Sequence, residues 1–156
     1  MCFNDEQDYL KVRDYIPMYE GFSTYGGISV REVKAMVVGL EETLDEDVIS
    51  QGPIFIAEMT RLLMEHHVPV VTPAGGLGIH LDCRRFLPHV ESGQYPGAAL
   101  HAALYIISGI RGTERGTMSE DRDENGKEVY ARMELLRLAL PRRVFTLSHI
   151  HYAVDR

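Results

Sequence analysis

Residues 134–146 read Glu134-Leu135-Leu136-Arg137-Leu138-Ala139-Leu140-Pro141-Arg142-Arg143-Val144-Phe145-Thr146, an apolar run broken by one arginine and closed by a proline and two more arginines. A short apolar run bounded by a turn residue has the pattern of a buried strand. An arginine inside it is costly to bury unless its five-donor fork meets an anion, because an unpaired buried charge costs several kcal/mol or more. Arg137 therefore reads as an anion clamp, as half of an internal pair with a carboxylate such as Glu134, or as a water-facing residue of an edge strand. Pattern alone leaves the three open.

Working outward, Ile110-Arg111-Gly112-Thr113-Glu114-Arg115-Gly116-Thr117-Met118 reads as a second strand, and Asn125-Gly126 as a hairpin turn that returns the chain to Arg137. The two arginine-bearing strands are expected to be neighbours. Arg115 on its own could be a solvated charge paired with Glu114 or Glu134. Upstream, residues 68–72 and 79–82 read as strands joined by Pro73-Ala74-Gly75-Gly76-Leu77-Gly78, whose adjacent glycines favour a tight, positive-φ connection.

Helices surround these strands. Residues 97–108 carry an apolar stripe and small alanines, with Gly109 in the usual C-terminal role. Residues 47–67 are helical in pattern, but Pro53 should kink the helix or start a new one. Ser29-Val30-Arg31-Glu32 is a capping box, followed by Val33, Met36, Val37, Leu40 and Leu44 at helical spacing. Asn4 with acidic neighbours marks an earlier helix start, and Thr146 or Ser148 caps a short last helix. The fold class is α/β: a mixed or antiparallel sheet covered by helices.

The length of 156 residues is enough to bury a core. The net charge of −7 argues against a nucleic-acid or anionic-membrane surface. Two cysteines, Cys2 and Cys83, cannot build a disulfide framework, which fits a reducing cytoplasm. The longest nearly apolar run, residues 98–110, contains His101 and is too short to span a bilayer. A small-molecule or protein partner is expected.

Other motifs carry less. Asp121-x-Asp123-x-Asn125-Gly126 imitates the start of a calcium loop, but its twelfth position is Arg132 instead of a bidentate glutamate. His66-His67 and His149-x-His151 lack further ligands at recognisable spacing, so no metal site is assigned. The glycine-rich stretch before Ser29 matches neither the dinucleotide nor the P-loop pattern and reads as a turn before a capped helix. No nucleophile elbow is present.

Five motifs in order, Tyr25-Gly26-Gly27, Pro73-x-Gly75-Gly76, Phe86-Leu87-Pro88-His89, Glu114-Arg115-Gly116 and Leu136-Arg137-Leu138-x-Leu140-Pro141-Arg142-Arg143, resemble the pyridoxal-phosphate-dependent β-eliminating lyases, the tyrosine phenol-lyase and tryptophanase family. The resemblance covers nearly the whole chain and about the last third of a full enzyme. It implies that residues 1–46 are the end of the large cofactor domain with its connecting helix. Residues 47–156 would then be the small α+β domain of a fold-type-I enzyme, and the chain would begin mid-domain and stop before the family's final strands and helices.

The resemblance assigns Arg137 to the substrate α-carboxylate. It assigns Arg115 to the phenol side of the substrate, where the indole-lyase carries an aliphatic residue, so tyrosine is favoured over tryptophan. The implied reaction cleaves L-tyrosine to phenol, pyruvate and ammonia. The implied cofactors are pyridoxal 5′-phosphate and a monovalent cation such as potassium; the implied partners are a homo-oligomer, tetrameric in the family, or a complementing segment.

The chain also departs from the family. Leu77 stands where the family has histidine, His80 where it has an aromatic residue, and Gly52-Pro53 where it has arginine and an aliphatic residue. Its three lysines, Lys11, Lys34 and Lys127, do not follow the Schiff-base signature. No catalytic residue is therefore assigned within this chain. Most cofactor and cation contacts would come from an upstream segment, and the chain alone should be inactive. A split enzyme or a non-catalytic interaction module is the other expectation.

Overall fold

The computed structural model describes residues 4–19 and 28–156. The chain divides into two compact units, Met1–Asp45 and Glu46–Arg156.

In the first unit the described elements are α1 (Glu6–Arg13), α2 (Ile16–Tyr19) and α3 (Val30–Glu42). The first helix starts one residue later than Asn4 implied. Asp5 is its N-cap and accepts from the Gln7 N–H at 2.7 Å, with Glu6 and Asp8 at the positive end of the helix. Ser29 and Glu32 form the expected reciprocal cap: Ser29 Oγ accepts from the Glu32 N–H and Glu32 Oε2 from the Ser29 N–H, each at 3.3 Å. Val33, Met36, Val37 and Leu40 share a helical stripe but remain exposed. The expectations for residues 1–3 and for the glycine stretch at 20–27 lie outside the described residues.

The second unit contains α4 (Glu46–Glu65), β1 (Gly78–Asp82), α5 (Cys83–Phe86), α6 (Pro96–Ser108), β2 (Thr113–Arg115), β3 (Leu135–Ala139) and α7 (Leu147–Val154). Its sheet has the order β1-β3-β2 and is antiparallel throughout, with β3 in the centre. Ile79 faces Leu138, His80 faces Arg137 and Leu81 faces Leu136; on the other side Thr113 faces Arg137, Glu114 faces Leu136 and Arg115 faces Leu135.

Side chains alternate across a pleated strand, so this register sorts them cleanly. Ile79, Leu81, Leu136 and Leu138 go to the buried face; His80, Arg137, Thr113 and Arg115 share the opposite one. The buried face packs against Ile56, Met59 and Leu63 of α4, spaced three and four residues apart, with Leu100 of α6 and Ile150 of α7. Leu136 is fully buried at the centre. Truncating such a leucine to alanine typically costs about 2–5 kcal/mol.

Several expectations are corrected. The fourth helix runs through Pro53 without a new start; its buried residues beyond the proline hold it on the sheet while one backbone bond is lost. Just before the proline, Gly52 lies so close to the 73–78 loop that a Cβ there would sit 2.8 Å from the Gly76 carbonyl oxygen. Residues 68–72 form only a bridge, Val70 to Leu81, because Pro69 has no N–H to continue a ladder. The loop after it has a cis Thr72–Pro73 peptide, and neither Gly75 nor Gly76 takes a positive φ. Six residues span this connection, so no two-residue mirror-image turn is needed.

The strand expected at 110–118 shortens to Thr113–Arg115. After Gly116 the chain turns away because Thr117 gives its N–H and hydroxyl to the Glu134 carboxylate instead of to a ladder. Asn125-Gly126 does make a tight turn: Gly126 has φ +76°, and Asp123 Oδ1 accepts from the Asn125 and Lys127 N–H groups. That turn closes a loop rather than a strand hairpin.

Candidate functional site

Arg137 lies on the central strand, between His80 on one neighbour and Thr113 on the other. It is therefore not an edge residue. Its side chain is half-buried, and its Nε is buried without a hydrogen-bond partner. Among the described residues it makes no ion pair. Glu134, which sequence offered as a partner, is 1% exposed and committed elsewhere: its carboxylate accepts from Thr117, whose hydroxyl in turn accepts from the Ala131 N–H at 3.0 Å.

Arg115 sits on the same face as Arg137, diagonally across the β2–β3 pair, and is exposed. Diagonal neighbours in an antiparallel pair lie about 7–8 Å apart. Glu114, the adjacent carboxylate, points to the opposite, buried side. The strand alternation that sends Glu114 inward thus leaves Arg115 pointing outward.

Beside Arg137 is a cleft of about 290 Å³, walled by Ile56 and Thr60 of α4, the loop at 73–78, and His80. Burial lowers the His80 pKa first, and the charges of Arg137 and Arg115 lower it further. His80 is therefore a neutral imidazole at pH 7, with one nitrogen that donates and one that accepts. The cleft combines a guanidinium with a free donor, a neutral imidazole and apolar walls. A guanidinium fork binds a carboxylate through paired, charge-assisted hydrogen bonds, so this chemistry suits a small monoanion.

Two features were missed from sequence. His80 was noted only as a departure from the family, and its placement opposite Arg137 depends on register. The second is the corner at Gly116, where Glu114 Oε1 and Glu134 Oε2 converge. A Cβ on Gly116 would lie 2.2 Å from the Glu134 oxygen and 2.7 Å from the Glu114 oxygen. Ser119 Oγ donates to Glu114 Oε2 at 2.5 Å, whereas Glu114 Oε1 has no partner. The glycine two residues after Glu114, on the strand preceding it, was the available signal. Behind this corner, burial pushes the Cys83 thiol up to about 12, with Asp82, Glu134 and Glu114 adding to the effect.

Among the described residues no group of three or more histidine, cysteine or acidic side chains could hold a metal ion, and no helix is long and apolar enough to cross a membrane. His66 and His67 are exposed at the end of α4, and His149 is tied to Thr146 in the cap of α7.

The chain is 39% identical over 155 residues to a tryptophanase from Salinibacter ruber, covering 99% of this chain and 33% of the relative. It is also 39% identical over 151 residues to a tyrosine phenol-lyase from Symbiobacterium sp., covering 96% of this chain and 33% of the relative. The chain matches a fragment of the tyrosine phenol-lyase and tryptophanase family. A tryptophanase from Hyphomonas neptunium is 41% identical over 155 residues, again with 99% of this chain and 34% of the relative covered. The chain thus spans about a third of the length of the curated relatives it matches. No protein-family model matches the chain. Relatives bearing the two names are similar to it to the same degree, so identity does not separate the two lyase names.

Proposed function

We propose that this chain is a portion of a pyridoxal-phosphate-dependent lyase that removes the side chain of an aromatic amino acid, with Arg137 holding the substrate α-carboxylate. The observation that carries this reading is the state of Arg137: a guanidinium on the central strand, on the wall of a cleft, with Nε buried and unbonded. A carboxylate in the cleft would meet a guanidinium that has no ion-pair partner among the described residues. In this reading the first unit is the end of the large cofactor domain and the second is the small domain. The whole enzyme is a cytoplasmic homo-oligomer.

Arg115, on the same face as Arg137, favours L-tyrosine as substrate, with phenol, pyruvate and ammonia as products. Tryptophan is the second reading, because relatives named for either substrate match comparably.

The cofactor, when bound, acts as an electron sink for carbanion chemistry. The residues of this chain do not fit it by themselves. Lys11 pairs with Asp8 at 3.0 Å on α1, Lys34 is exposed on α3, and Lys127 is exposed in the loop after β2. Lys127, the lysine of the second unit, does not line the cleft beside Arg137. The anchoring lysine, the phosphate contacts and the potassium ligands are assigned to a complementing segment. What this chain contributes is orientation: Arg137 fixes the carboxylate, and the cleft walls limit water around it.

The test is complementation. The purified chain is mixed with pyridoxal phosphate and L-tyrosine, alone and together with a lysine-bearing upstream portion of a tyrosine phenol-lyase relative. Phenol and pyruvate should appear only when both pieces are present, and Arg137→Gln should abolish them. Turnover by the chain alone would overturn the fragment reading; unchanged turnover in Arg137→Gln would overturn the assigned role. L-tryptophan in parallel separates the two substrates.

A further inference from the structure

The family resemblance places an aromatic residue where this chain has His80, so nothing inherited from the family explains that imidazole. Its surroundings do. His80 stands directly opposite Arg137 in the β1–β3 register, at the Cβ separation of about 4.5–5.5 Å typical of facing pairs, and both side chains wall the same cleft. Its imidazole makes no hydrogen bond or ion pair among the described residues. The charges that reach it are the two guanidiniums of Arg137 and Arg115; α4 contributes only Ile56 and the uncharged Thr60 to this wall.

We infer that His80 makes the cleft selective for carboxylates that also carry a neutral hydroxyl, Arg137 taking the carboxylate and the imidazole hydrogen-bonding the hydroxyl. The inference rests on the reading of Arg137 as a carboxylate clamp and adds the ligand's second polar group. Charge decides which kind of group that is. Two guanidiniums would repel an ammonium beside His80, and a second carboxylate would meet an imidazole that carries no charge. The lowered pKa of His80 agrees with this arrangement, since the same two cations oppose its protonation. A hydroxyl can donate to one imidazole nitrogen or accept from the other, so it is served whichever tautomer is present.

Binding to the purified full chain tests this with three probes of similar shape: 3-phenylpropionate, 3-(4-hydroxyphenyl)propionate and 3-phenyllactate. All three carry the carboxylate; the second adds a phenol and the third an alcohol beside the carboxylate. Titration followed by calorimetry or by the imidazole NMR signals should show at least one hydroxylated probe binding about two- to tenfold more tightly than 3-phenylpropionate, the effect of one neutral hydrogen bond. The hydroxylated probe that gains reports where the hydroxyl sits. In His80→Phe the preference should fall to about one, and in His80→Gln, which keeps a donor and an acceptor, it should persist.

Equal binding of all three probes by the wild-type chain overturns the inference while leaving Arg137 as the carboxylate clamp. A preference that survives in His80→Phe also overturns it. Failure of all three to bind, or binding unaffected by Arg137→Gln, removes the carboxylate reading and this inference with it.

Discussion

Replacing Arg137 by methionine separates a structural arginine from one that awaits an anion. Methionine keeps the unbranched stem that packs near Gly78, where a Cβ would lie 3.6 Å from Arg137 Cγ, and removes only the guanidinium. If Arg137 held an internal ion pair, breaking it would leave a buried partner uncompensated and cost about 3–5 kcal/mol. Instead its Nε is buried without a partner. An unsatisfied buried donor costs about 1–3 kcal/mol; half-burial of the side chain lets water reach other nitrogens of the fork, so the lower end applies. The Arg137→Met chain should therefore be about 1 kcal/mol more stable than wild type, while losing its binding of 3-phenylpropionate. With a urea slope of about 1–3 kcal/mol per molar, the unfolding midpoint should rise by roughly 0.3–1 M. A midpoint that falls by a similar amount or more would refute the reasoning, because it would mean the guanidinium stabilises the chain itself.

Gly116→Ala should be strongly destabilising, by about 2–5 kcal/mol in urea unfolding, because the new methyl would press on two buried carboxylates and displace Glu134 from Thr117. The φ of −156° at Gly116 is ordinary extended backbone, so a near-neutral result would show that the corner yields instead. With Cys2 replaced by serine, Cys83 should be inert to a thiol reagent in the folded chain at pH 8: it is fully buried, and a thiol pushed up to about 12 has a thiolate fraction of roughly one part in ten thousand. Rapid labelling without denaturant would contradict this. For His80, the folded pKa lies below the ordinary 6.5, so between these values the unfolded chain binds a proton that the folded chain does not. Its contribution to stability is full above about pH 6.5 and is lost as pH falls toward the folded value. The urea midpoint of His80→Phe should gain on wild type between pH 7.5 and 5.5, and a constant difference would refute the shift.

The elements were legible where a local rule is sufficient. Ser29 and Glu32 begin α3 because the reciprocal cap is complete within four residues, and Gly109 ends α6 because only a left-handed residue is needed there, with φ +74°. The apolar run around Leu136 announced a buried strand, and β3 is that strand. Legibility failed where a distant group took over. Residues after Arg115 should have continued as a strand by composition, but the carboxylate of Glu134, just ahead of β3, captured Thr117. Pro53 offered a kink or a new helix start, and packing of the following residues onto the sheet excludes the new start by keeping α4 one helix.

The same division holds for the candidate site. Sequence singled out Arg137, because a charge inside an apolar run has to find an explanation, and Arg115 through its motif; both are local signals. It also carried the family, since the chain is 37–41% identical to curated proteins bearing the two lyase names. Only the tertiary structure decided that β3 is central, that Glu134 is occupied by Thr117, and that His80 stands opposite Arg137. The physical reason is register. Side chains change face with every residue along a strand, so a slip of one position in the β1–β3 pairing would place Leu81 or Ile79 beside the guanidinium and bury the imidazole. That register is held by the apolar residues on the other face of the sheet, far along the chain from one another, and no local pattern in the sequence specifies it.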